Sequence, residues 1–430
     1  MKVIADLHLH SKYSRAVSGQ MTLSTIAEWA AKKGIDLVGT GDFTHPMWLR
    51  EIKQYLEEAG EGIYQLKNTN AKKLNAKFLL TCEISCIYSD KGKGRRVHVL
   101  VFLPKLTDVE KFNAKLTLRG ANLFSDGRPI MGLSLRDVSQ IALDTNPKAL
   151  IICPHAWTPW YGIYGANSGY DSLEEAFGNL AKYIPAVETG LSSSPAMNWR
   201  MRELENRAIV SFSDAHSPAK MGREATVFEL PAITFENIRK LNIAATIEFY
   251  PEEGKYHFSG HRKCGVVYSP NEARKMGLTC PVCGRSLTPG VMSRVENLGK
   301  TKIETEIETD QFGVRWIYPQ GRGRPPYTMM VPLMEILAET YGVGVGSQKV
   351  TNNYELITNN LGSEFKVLLE TPVEEIKKVS GERVTEAIAK VRSGDIHIEP
   401  GYDGFFGKVS IWPSQETSEE KSISSQTSLF

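Results

Sequence analysis

The first ~230 residues alternate short apolar runs with amphipathic stretches, which is the pattern of repeated β-α units. The amphipathic segments 23–33, 46–59 and 136–144 are predicted helices. The apolar runs, which are the predicted strands, are the segments 3–7, 35–40, 78–83, 97–103, 149–153, 186–188 and 209–212. A series of strands that are each followed by a turn or a helix predicts a parallel β/α barrel or a close relative of one.

Polar residues stand at the carboxyl end of nearly every apolar run. They are His8, His10, Asp42, Glu83, His98, His155, Glu188, Asp214 and His216. In a parallel barrel the carboxyl ends of all strands open onto one face, so we expect these side chains to converge there. One such histidine alone would more often be a hydrogen-bonded core or surface residue. Unpaired polar groups at one strand end after another are costly to bury without a shared ligand, so the series predicts a metal centre.

The spacing within two pairs of these residues favours the same interpretation. His8 and His10 are two residues apart, and in a strand such residues point to the same side and can bind one ion together. Asp214 and His216 repeat that spacing. Imidazoles and carboxylates are ligands of several first-row divalent ions, which lower the pKa of bound water and stabilise a phosphoryl oxygen. Glu188 has no place in this pattern, and we expect it to contact substrate or to support a ligand.

A second group of metal ligands lies between residues 257 and 300. Cys264, Cys280 and Cys283 fall within 20 residues of one another, and His261 precedes them. This spacing is that of two metal knuckles, so it predicts a closed structural zinc site. His257 could replace His261, and three free cysteines are the alternative to a site. Six cysteines in the whole chain are too few for a disulfide scaffold.

Length and charge limit the domain organisation and the class of partner. The chain has 430 residues, too many for one compact core, and its net charge of +2 leaves polyanion binding to local clusters. No run approaches the ~20 apolar residues of a membrane span, and the N-terminus leads directly into a strand, so we expect a cytoplasmic protein.

The predicted segments are a catalytic barrel at 1–232, a zinc-binding domain at 257–300, a helical domain at 301–413 with helices at 329–340 and 353–361, and a disordered tail at 414–430.

Several short motifs follow one another along the first half of the chain. They are Asp6-Leu-His-Leu-His10, Gly41-Asp42-Phe-Thr-His45, Cys82-Glu83, His98, Pro154-His155 and Ser213-Asp214-Ala-His216. This ordered series resembles the polymerase-and-histidinol-phosphatase (PHP) family over about residues 1–230. The resemblance implies an α/β fold, a distorted seven-stranded β/α barrel, whose centre of three Zn, Mn or Fe ions hydrolyses phosphoesters.

The resemblance also implies how the ligands divide among three ions. The implied sets are His8, His10, Glu83 and Asp214 for the first ion, a bridging Glu83 with His98 and His155 for the second, and Asp42, His45 and His216 for the third. The expected catalytic residues are His8, His10, Glu83, Asp214 and His216. Many members have another histidine six residues after the first pair, where this chain has Ala16, and the motif usually written Asp-His is here Asp42-Phe-Thr-His45. We therefore expect the third ion to bind weakly or to arrive with substrate.

Motifs in the second half narrow the resemblance. Gly260-His-Arg-Lys-Cys264, Cys280-Pro-Val-Cys283, Arg324-Pro-Pro-Tyr327 and Pro400-Gly-Tyr-Asp-Gly-Phe-Phe-Gly407 are similar to the endonuclease Q family of archaeal and some bacterial DNA-repair enzymes. The resemblance implies cleavage on the 5′ side of uracil, hypoxanthine, xanthine or an abasic site, with the damaged base flipped out of the stack. It also implies zinc in the structural site and the active centre, Mg or Mn as activating ions, and double- and single-stranded DNA as partners near the nucleoid.

Two other functions stay open on the sequence. One is a PHP phosphatase that acts on small phosphoesters such as histidinol phosphate. The other is an inactive barrel joined to a DNA-binding module. The zinc knuckle and the long extension beyond the barrel argue against the phosphatase, since a small substrate needs neither, and the intact ligand series argues against the inactive barrel.

Residues outside the metal pattern are predicted to contact DNA and a partner protein. The predicted DNA contacts come from basic and aromatic clusters that can hold phosphates and stack bases, and they are Arg95, Arg96, Arg315, Trp316, Arg322, Arg324 and Tyr327. Trp157 and Glu188 are predicted to line a substrate pocket, with core packing the alternative for Trp157. Gln426 and Leu429 form a partial sliding-clamp binding motif that lacks its aromatic pair.

Overall fold

The computed structural model describes residues 1–67 and 75–413. Its strands are β1 (Lys2–Asp6), β2 (Leu37–Gly39), β3 (Leu56–Gly60), β4 (Ile63–Leu66), β5 (Lys77–Asp90), β6 (Lys93–Leu103), β7 (Ile130–Met131), β8 (Leu150–Cys153), β9 (Ala186–Glu188), β10 (Ala208–Val210), β11 (Ala225–Glu229), β12 (Ile243–Glu248), β13 (Ser259–His261), β14 (Val266–Tyr268), β15 (Thr305–Thr309), β16 (Arg315–Pro319), β17 (Tyr327–Met329), β18 (His397–Glu399) and β19 (Lys408–Ser410).

Its α-helices are α1 (Leu23–Lys33), α2 (Pro46–Tyr55), α3 (Leu106–Leu118), α4 (Leu135–Thr145), α5 (Leu173–Phe177), α6 (Pro195–Trp199), α7 (Phe235–Arg239), α8 (Pro270–Met276), α9 (Val291–Leu298), α10 (Leu333–Tyr341), α11 (Gln348–Leu361), α12 (Glu364–Leu369), α13 (Val373–Ser380) and α14 (Glu382–Ser393).

The central sheet curls around an apolar interior. Its strands pair in the order β10-β9-β8-β6-β5-β2-β1, and the path continues through β11, β12, β17 and β16 to β15. Val3 of β1 and Val210 of β10 belong to one buried cluster with residues from every strand between them. Ser213 donates to the carboxylate of Asp6 from its main-chain N–H at 2.9 Å and its hydroxyl at 2.6 Å, which links the same two strand ends. The two ends of this part of the sheet, β10 and β1, therefore lie close to each other around a shared apolar core.

One hairpin departs from the parallel arrangement that the sequence predicts. β5 and β6 pair antiparallel through a two-residue turn at Lys91 and Gly92, whose φ angles are 49° and 77°. Two successive positive φ angles are typical of a type I′ turn, whose twist matches that of the strands it joins. Glu83 and His98 therefore lie within this long hairpin instead of at strand ends, and the register, which pairs Ser85 with His98, places both on one face.

The strands that follow β10 along the chain extend the same sheet. β11 pairs antiparallel with β1 and β12, and β17 runs parallel to β12 with β16 and β15 beyond it. The sequence predicts a helical domain from residue 301, but the chain stays in this sheet as far as Met329 and the helices begin with α10. The alternating Arg-Trp-Ile-Tyr-Pro of Arg315–Pro319 is a strand signal that outweighs the helical interpretation.

The helices α10 to α14 form a unit that contacts α1. Arg392 of α14 is 1% exposed and donates to the carbonyl oxygens of Val367 and Leu368, which fixes α14 against α12. Lys33 at the end of α1 and Glu364 at the start of α12 form a buried ion pair at 2.7 Å, and each charge depends on the other for its burial. Among the described residues, every helix is too short or too polar to cross a membrane.

Candidate metal centre

His8 and His10 follow β1 and direct their Nε2 atoms at the same two carboxylates. The Nε2 atom of His8 lies 3.7 Å from Oε2 of Glu83 and 3.5 Å from Oδ1 of Asp214. The Nε2 atom of His10 lies 3.3 Å and 3.1 Å from the same two oxygens. Both nitrogens and the Asp214 oxygen are buried and lack a hydrogen-bond partner in the described part of the chain. Converging buried atoms of this kind are costly alone, so the residues fit a divalent cation among them.

Glu83 joins this group to a second one. Its Oε1 atom lies 2.7 Å from Nδ1 of His98 and 2.9 Å from Nε2 of His155, while its Oε2 atom faces the first group. The two imidazole nitrogens are 3.2 Å apart. The guanidinium of Arg128 lies 3.1 Å from Oε2 of Glu83. A carboxylate with one oxygen toward each group has the arrangement of a bridging ligand between two ions.

A buried carboxylate supports the ligands from behind. Both oxygens of Glu188 lie 3.1 Å from Nδ1 of His8, and Oε2 also accepts from the main-chain N–H of His155 at 2.7 Å. Such a partner fixes the tautomer and orientation of a ligating imidazole. Glu188, which the sequence predicts in a substrate pocket, thus lies behind His8 and is 0% exposed.

Asp42 holds His10 in the same way. Its Oδ1 atom lies 3.0 Å from Nδ1 of His10, and its Oδ2 atom accepts from the main-chain N–H of Ser11 at 2.6 Å and the hydroxyl of Ser14 at 2.8 Å. Both carboxylate oxygens therefore have protein partners. Asp42 lies on the far side of His10 from Glu83, where it orients the imidazole.

The third predicted ligand set is not assembled in the structure. In the described ranges, every compact group of potential ligand atoms omits Asp42 and His45. The ring of His45 stacks on Tyr13 with 4.5 Å between centroids. His216 instead joins His10 and Asp214, with its Nδ1 atom 3.6 Å from Oδ1 of Asp214.

Burial and neighbouring charges set the protonation of the group. Burial alone would lower the pKa of His8, but Glu188, Asp214 and Glu83 together raise it well above the ordinary value. Burial would raise the pKa of Glu83, yet His98 and nearby cations hold it well below the usual range. Burial lowers the pKa of His98 to about 4. The carboxylate of Glu83 is therefore ionised and the ring of His98 is neutral, the forms in which both can bind a first-row divalent cation, whereas His8 would give up a proton to bind one.

Backbone strain is concentrated where the ligands lie. Asp42, His155 and Asp214 have φ angles of 47°, 30° and 47°. Each such angle costs a non-glycine residue on the order of 1 kcal/mol, and strain of this kind gathers at functional sites. Gly190 packs so closely that a Cβ atom there would lie 2.3 Å from Cα of His155. The surrounding structure thus holds the ligand segments in conformations that they would not adopt alone.

A cavity of about 510 Å³ opens beside the ligands. His98, His155 and Asp214 form one part of its wall, and the rest includes Arg15, Arg128, Trp160, Tyr161, Leu191, Ser192 and Tyr256. Trp157, predicted as a pocket residue, is 1% exposed and donates to Oδ1 of Asn198 at 2.8 Å, so it packs in the core. The sequence prediction missed Arg128 and Tyr256, because neither lies at the end of an apolar run.

The cysteine cluster forms a compact group of its own. The potential ligand atoms of His261, Cys264, Cys280 and Cys283 all lie within 4.8 Å of one another. Burial opposes ionisation of Cys280, but main-chain N–H groups and His261 lower the pKa of its thiol to about 6. Four converging N/S donors fit a tetrahedral structural zinc site. His257, the alternative ligand, is 4% exposed and lines the cavity beside the metal centre instead.

The predicted DNA contacts near residue 95 divide into two roles. The guanidinium of Arg95 is 6% exposed, lies 3.8 Å from the ring centroid of Tyr170 and pairs with Glu175 at 3.1 Å. Arg95 therefore stabilises the fold. Arg96 is exposed and lines a separate cavity together with Trp160.

The cluster between residues 315 and 327 lies away from the ligands. Arg324 donates to the carbonyl oxygen of Leu204 at 2.9 Å and lines a cavity together with Ala208. Ala208 is the first residue of β10, whereas Asp214 follows the other end of that strand. Other members of the cluster contact neighbouring parts of the protein. Trp316 donates to Asp310, and Arg322 pairs with Glu308. Tyr327 packs against Trp199, and Arg315 lies beside Gly394. Gln426 and Leu429, like the rest of the predicted tail, lie outside the described residues.

Two solved structures are similar to this chain over nearly its whole length. The lesion-specific endonuclease PfuEndoQ from Pyrococcus furiosus is 34% identical, with a TM-score of 0.79 and coverage of 95% of each chain. A structure of Endonuclease Q in complex with a 27-mer duplex that has an abasic lesion at the active site is also 34% identical, with a TM-score of 0.79 and coverage of 95% of this chain and 96% of that one.

A curated relative and a family description each match part of the chain. The uncharacterised protein MJ0043 of Methanocaldococcus jannaschii is 33% identical over 272 residues, which are 61% of this chain and 32% of that protein. The chain thus spans about a third of the length of that relative. The family described as the MJ0043 C-terminal domain matches residues 332–395, which begin just before α10 and end just after α14.

Proposed function

This chain belongs to the endonuclease Q family and is a metal-dependent hydrolase, and from that premise we propose that it cuts DNA on the 5′ side of damaged nucleotides. The proposed lesions are uracil, hypoxanthine, xanthine and abasic sites, in double- or single-stranded DNA. The observation that carries the proposal is the double ligand group around Glu83 beside a cavity of about 510 Å³. The likeness to endonuclease Q structures over 95% of the chain supports it.

We assign the two ligand groups to two divalent ions. One ion would be held by His8, His10, Asp214 and Oε2 of Glu83. The other would be held by His98, His155 and Oε1 of Glu83. When bound, such ions lower the pKa of water and stabilise negative charge on a phosphoryl group. We propose Zn, Mn or Mg as the occupants, with His216 adjacent to the first site.

The protein's own residues position the substrate phosphate. Arg128 lies within 3.1 Å of Glu83 and lines the cavity, so its guanidinium is placed to bind the phosphate that borders the lesion. Arg15 lines the same cavity and pairs with Asp126 at 3.4 Å. Together they offer two cations on the side of the cavity that adjoins the ligands.

The cavity has the size and walls for one flipped base. Its aromatic wall consists of Trp160, Tyr161 and Tyr256, and the ring of Tyr161 lies 4.4 Å from that of His98. Extraction of a base costs a few kcal/mol, less for a mismatched or missing base. We propose that this difference contributes to lesion selectivity, together with stacking on these rings.

Other parts of the chain take supporting roles in the proposal. We assign the seven strands on the path from β10 to β1 to the distorted PHP barrel, and the Cys/His cluster to a structural zinc ion. We retain Gln426 and Leu429 as a partial sliding-clamp motif, and DNA as substrate would place the protein at the nucleoid.

An incision assay tests the proposed function. Labelled duplexes with one uracil, hypoxanthine or abasic site, or with no lesion, are incubated with the protein and Mn²⁺ or Mg²⁺, alongside histidinol phosphate. We expect a single cut 5′ to each lesion, no cut in the undamaged duplex, and loss of the cut in Asp214→Asn. Phosphate release from histidinol phosphate without incision would favour the small-molecule phosphatase, and DNA binding without turnover would favour the inactive barrel.

A further inference from the structure

Phe405 and Phe406 form an exposed aromatic pair in the loop between β18 and β19. Their exposed fractions are 51% and 72%. Within residues 1–67 and 75–413, they are the only two consecutive large apolar residues that are both exposed. Single exposed apolar residues are ordinary, whereas a contiguous exposed patch marks an interaction site.

The loop is anchored to the wall of the cavity beside the metal ligands. The main-chain N–H of Gly404 donates to the carbonyl oxygen of Lys255 at 3.0 Å, and Nζ of Lys255 lies 4.4 Å from the ring centroid of Phe406. Lys255 is itself part of the cavity wall. Phe406 therefore lies against a residue of the cavity wall.

A second anchor joins the loop to the cysteine segment. Oδ2 of Asp403 accepts from the main-chain N–H of Arg262 at 2.7 Å, and its other oxygen accepts from the hydroxyl of Thr288. Asp403 has a φ angle of 42°, which needs support of this kind. The loop is thus held from two sides at the residues that directly precede the aromatic pair.

We propose that Phe405 and Phe406 are a wedge that enters the base stack of duplex DNA next to the lesion; this inference rests on the proposed function. Apolar side chains that insert between base steps compensate for the unstacking cost, which is a few kcal/mol per step. Stacking of a base on an aromatic ring contributes about 1–3 kcal/mol. The wedge would fill the space that the flipped nucleotide leaves while that nucleotide occupies the cavity.

Charge around the pair favours DNA over a protein partner. Lys255 lies against Phe406, and Arg262 and Lys263 follow in the segment that anchors the loop. The carboxylate of Asp403 is already engaged by its two hydrogen bonds. An aromatic pair flanked by cations matches bases flanked by phosphates.

The dependence of incision on base pairing tests the wedge. Single-turnover rates are measured for wild type and Phe405→Ala/Phe406→Ala on a U·A duplex, a U·G duplex and a single strand that contains uracil. We expect the variant to lose about tenfold or more on U·A, less on U·G and under about twofold on the single strand, since only paired bases must be unstacked. An equal loss on all three substrates, or no loss on U·A, would overturn the wedge. Absence of incision by the wild-type protein would instead refute the proposed function.

Three further variants separate the wedge from a folding defect. Tyr183→Ala removes an aromatic residue of comparable exposure, 48%, which also has a lysine 5.1 Å from its ring centroid, and we expect wild-type rates on all three substrates. Phe406→Leu keeps an apolar side chain and is expected to retain more U·A activity than Phe406→Ala. Equal rates for the two Phe406 variants and the wild type would contradict a role for this residue. Thermal unfolding midpoints measured in parallel should match that of the wild type.

Discussion

The carboxylate of Glu188 lies 3.1 Å from Nδ1 of His8, which leaves Nε2 of that imidazole facing Glu83 and Asp214. A carboxylate at Nδ1 holds the proton there and makes Nε2 a better donor to a cation. The same carboxylate accepts from the main-chain N–H of His155 at 2.7 Å. One buried residue therefore orients ligands on both sides of Glu83.

Replacement of Glu188 with Gln should weaken metal binding without loss of the fold. The amide keeps the shape but not the charge that fixes His8, so we expect metal affinity to fall by about 10–100-fold. Competition titration with a chelating dye measures this change. Glu248→Gln, at a buried carboxylate whose partners are the hydroxyls of Ser211 and Thr246, serves as the control. Unchanged affinity in Glu188→Gln would show that its contact with His8 is incidental.

Asp42→Asn distinguishes a supporting residue from a ligand of a third ion. Because both oxygens of Asp42 have protein partners, we expect weaker binding but the wild-type number of ions per chain at saturating Mn²⁺. Elemental analysis after gel filtration gives this number. Loss of one ion per chain at saturation would instead identify Asp42 as a ligand.

Cys280→Ser should release the zinc ion that we propose for the cysteine cluster. We expect one zinc ion fewer per chain and a fall of at least about 5 °C in the thermal unfolding midpoint, since a closed N/S site contributes directly to folding. Cys86→Ser, a buried thiol outside the cluster, should keep the wild-type zinc content. The assignment fails if Cys280→Ser retains all its zinc.

The buried carboxyl of Glu248 should make stability depend on pH. Burial raises the pKa of Glu248 in the folded protein to about 7, above the pKa that the same carboxyl has in the unfolded chain. The contribution of the neutral carboxyl to folding stability is therefore complete at pH values below the unfolded pKa, and it is lost as the pH rises through about 7. We expect Glu248→Gln to be more stable than wild type at pH 8.5, by roughly 2 kcal/mol, and to lose that advantage at pH 5. Chemical denaturation at both pH values measures the difference.

A control isolates the effect of burial in that experiment. Glu28 is exposed on α1, so Glu28→Gln should follow the wild-type stability at both pH values. An advantage for Glu248→Gln that is equal at pH 5 and pH 8.5 would mean that titration of this carboxyl does not contribute to stability.

For some elements, residues next to the element in the sequence predicted its first and last residue correctly. The predicted helix 23–33 is α1, because Thr22 caps its first turn by accepting from the N–H of Thr25 and Gly34 ends it with a φ angle of 85°. The predicted helix 46–59 ends at Tyr55, since the next five residues pair with β4 instead. A local hairpin decided that boundary, because only Glu61 and Gly62 separate β3 from β4, and Gly62 has a φ angle of 72°.

In the candidate metal centre, too, some features follow from the local sequence and others depend on the folded arrangement. The polar residues after apolar runs predict which side chains gather. Strand direction explains this for His8, His10, His155 and Asp214, whereas Glu83 and His98 meet through the register of the antiparallel β5–β6 hairpin. The opposite roles of Glu83, between two ligand groups, and Glu188, behind one of them, depend on side-chain directions that one sequence does not encode locally. A run of basic residues likewise does not show on which face of the protein it will lie. Arg324, predicted to contact DNA, lies near the first residue of β10, at the end of that strand away from Asp214.

Anomalous diffraction from crystals grown with Mn²⁺ tests the central claim most directly, namely that Glu83 joins two metal sites. We predict two peaks, one on each side of this carboxylate. The first should lie among His8, His10 and Asp214, and the second beside His98 and His155. A single peak, or peaks that do not contact Glu83, would contradict the account.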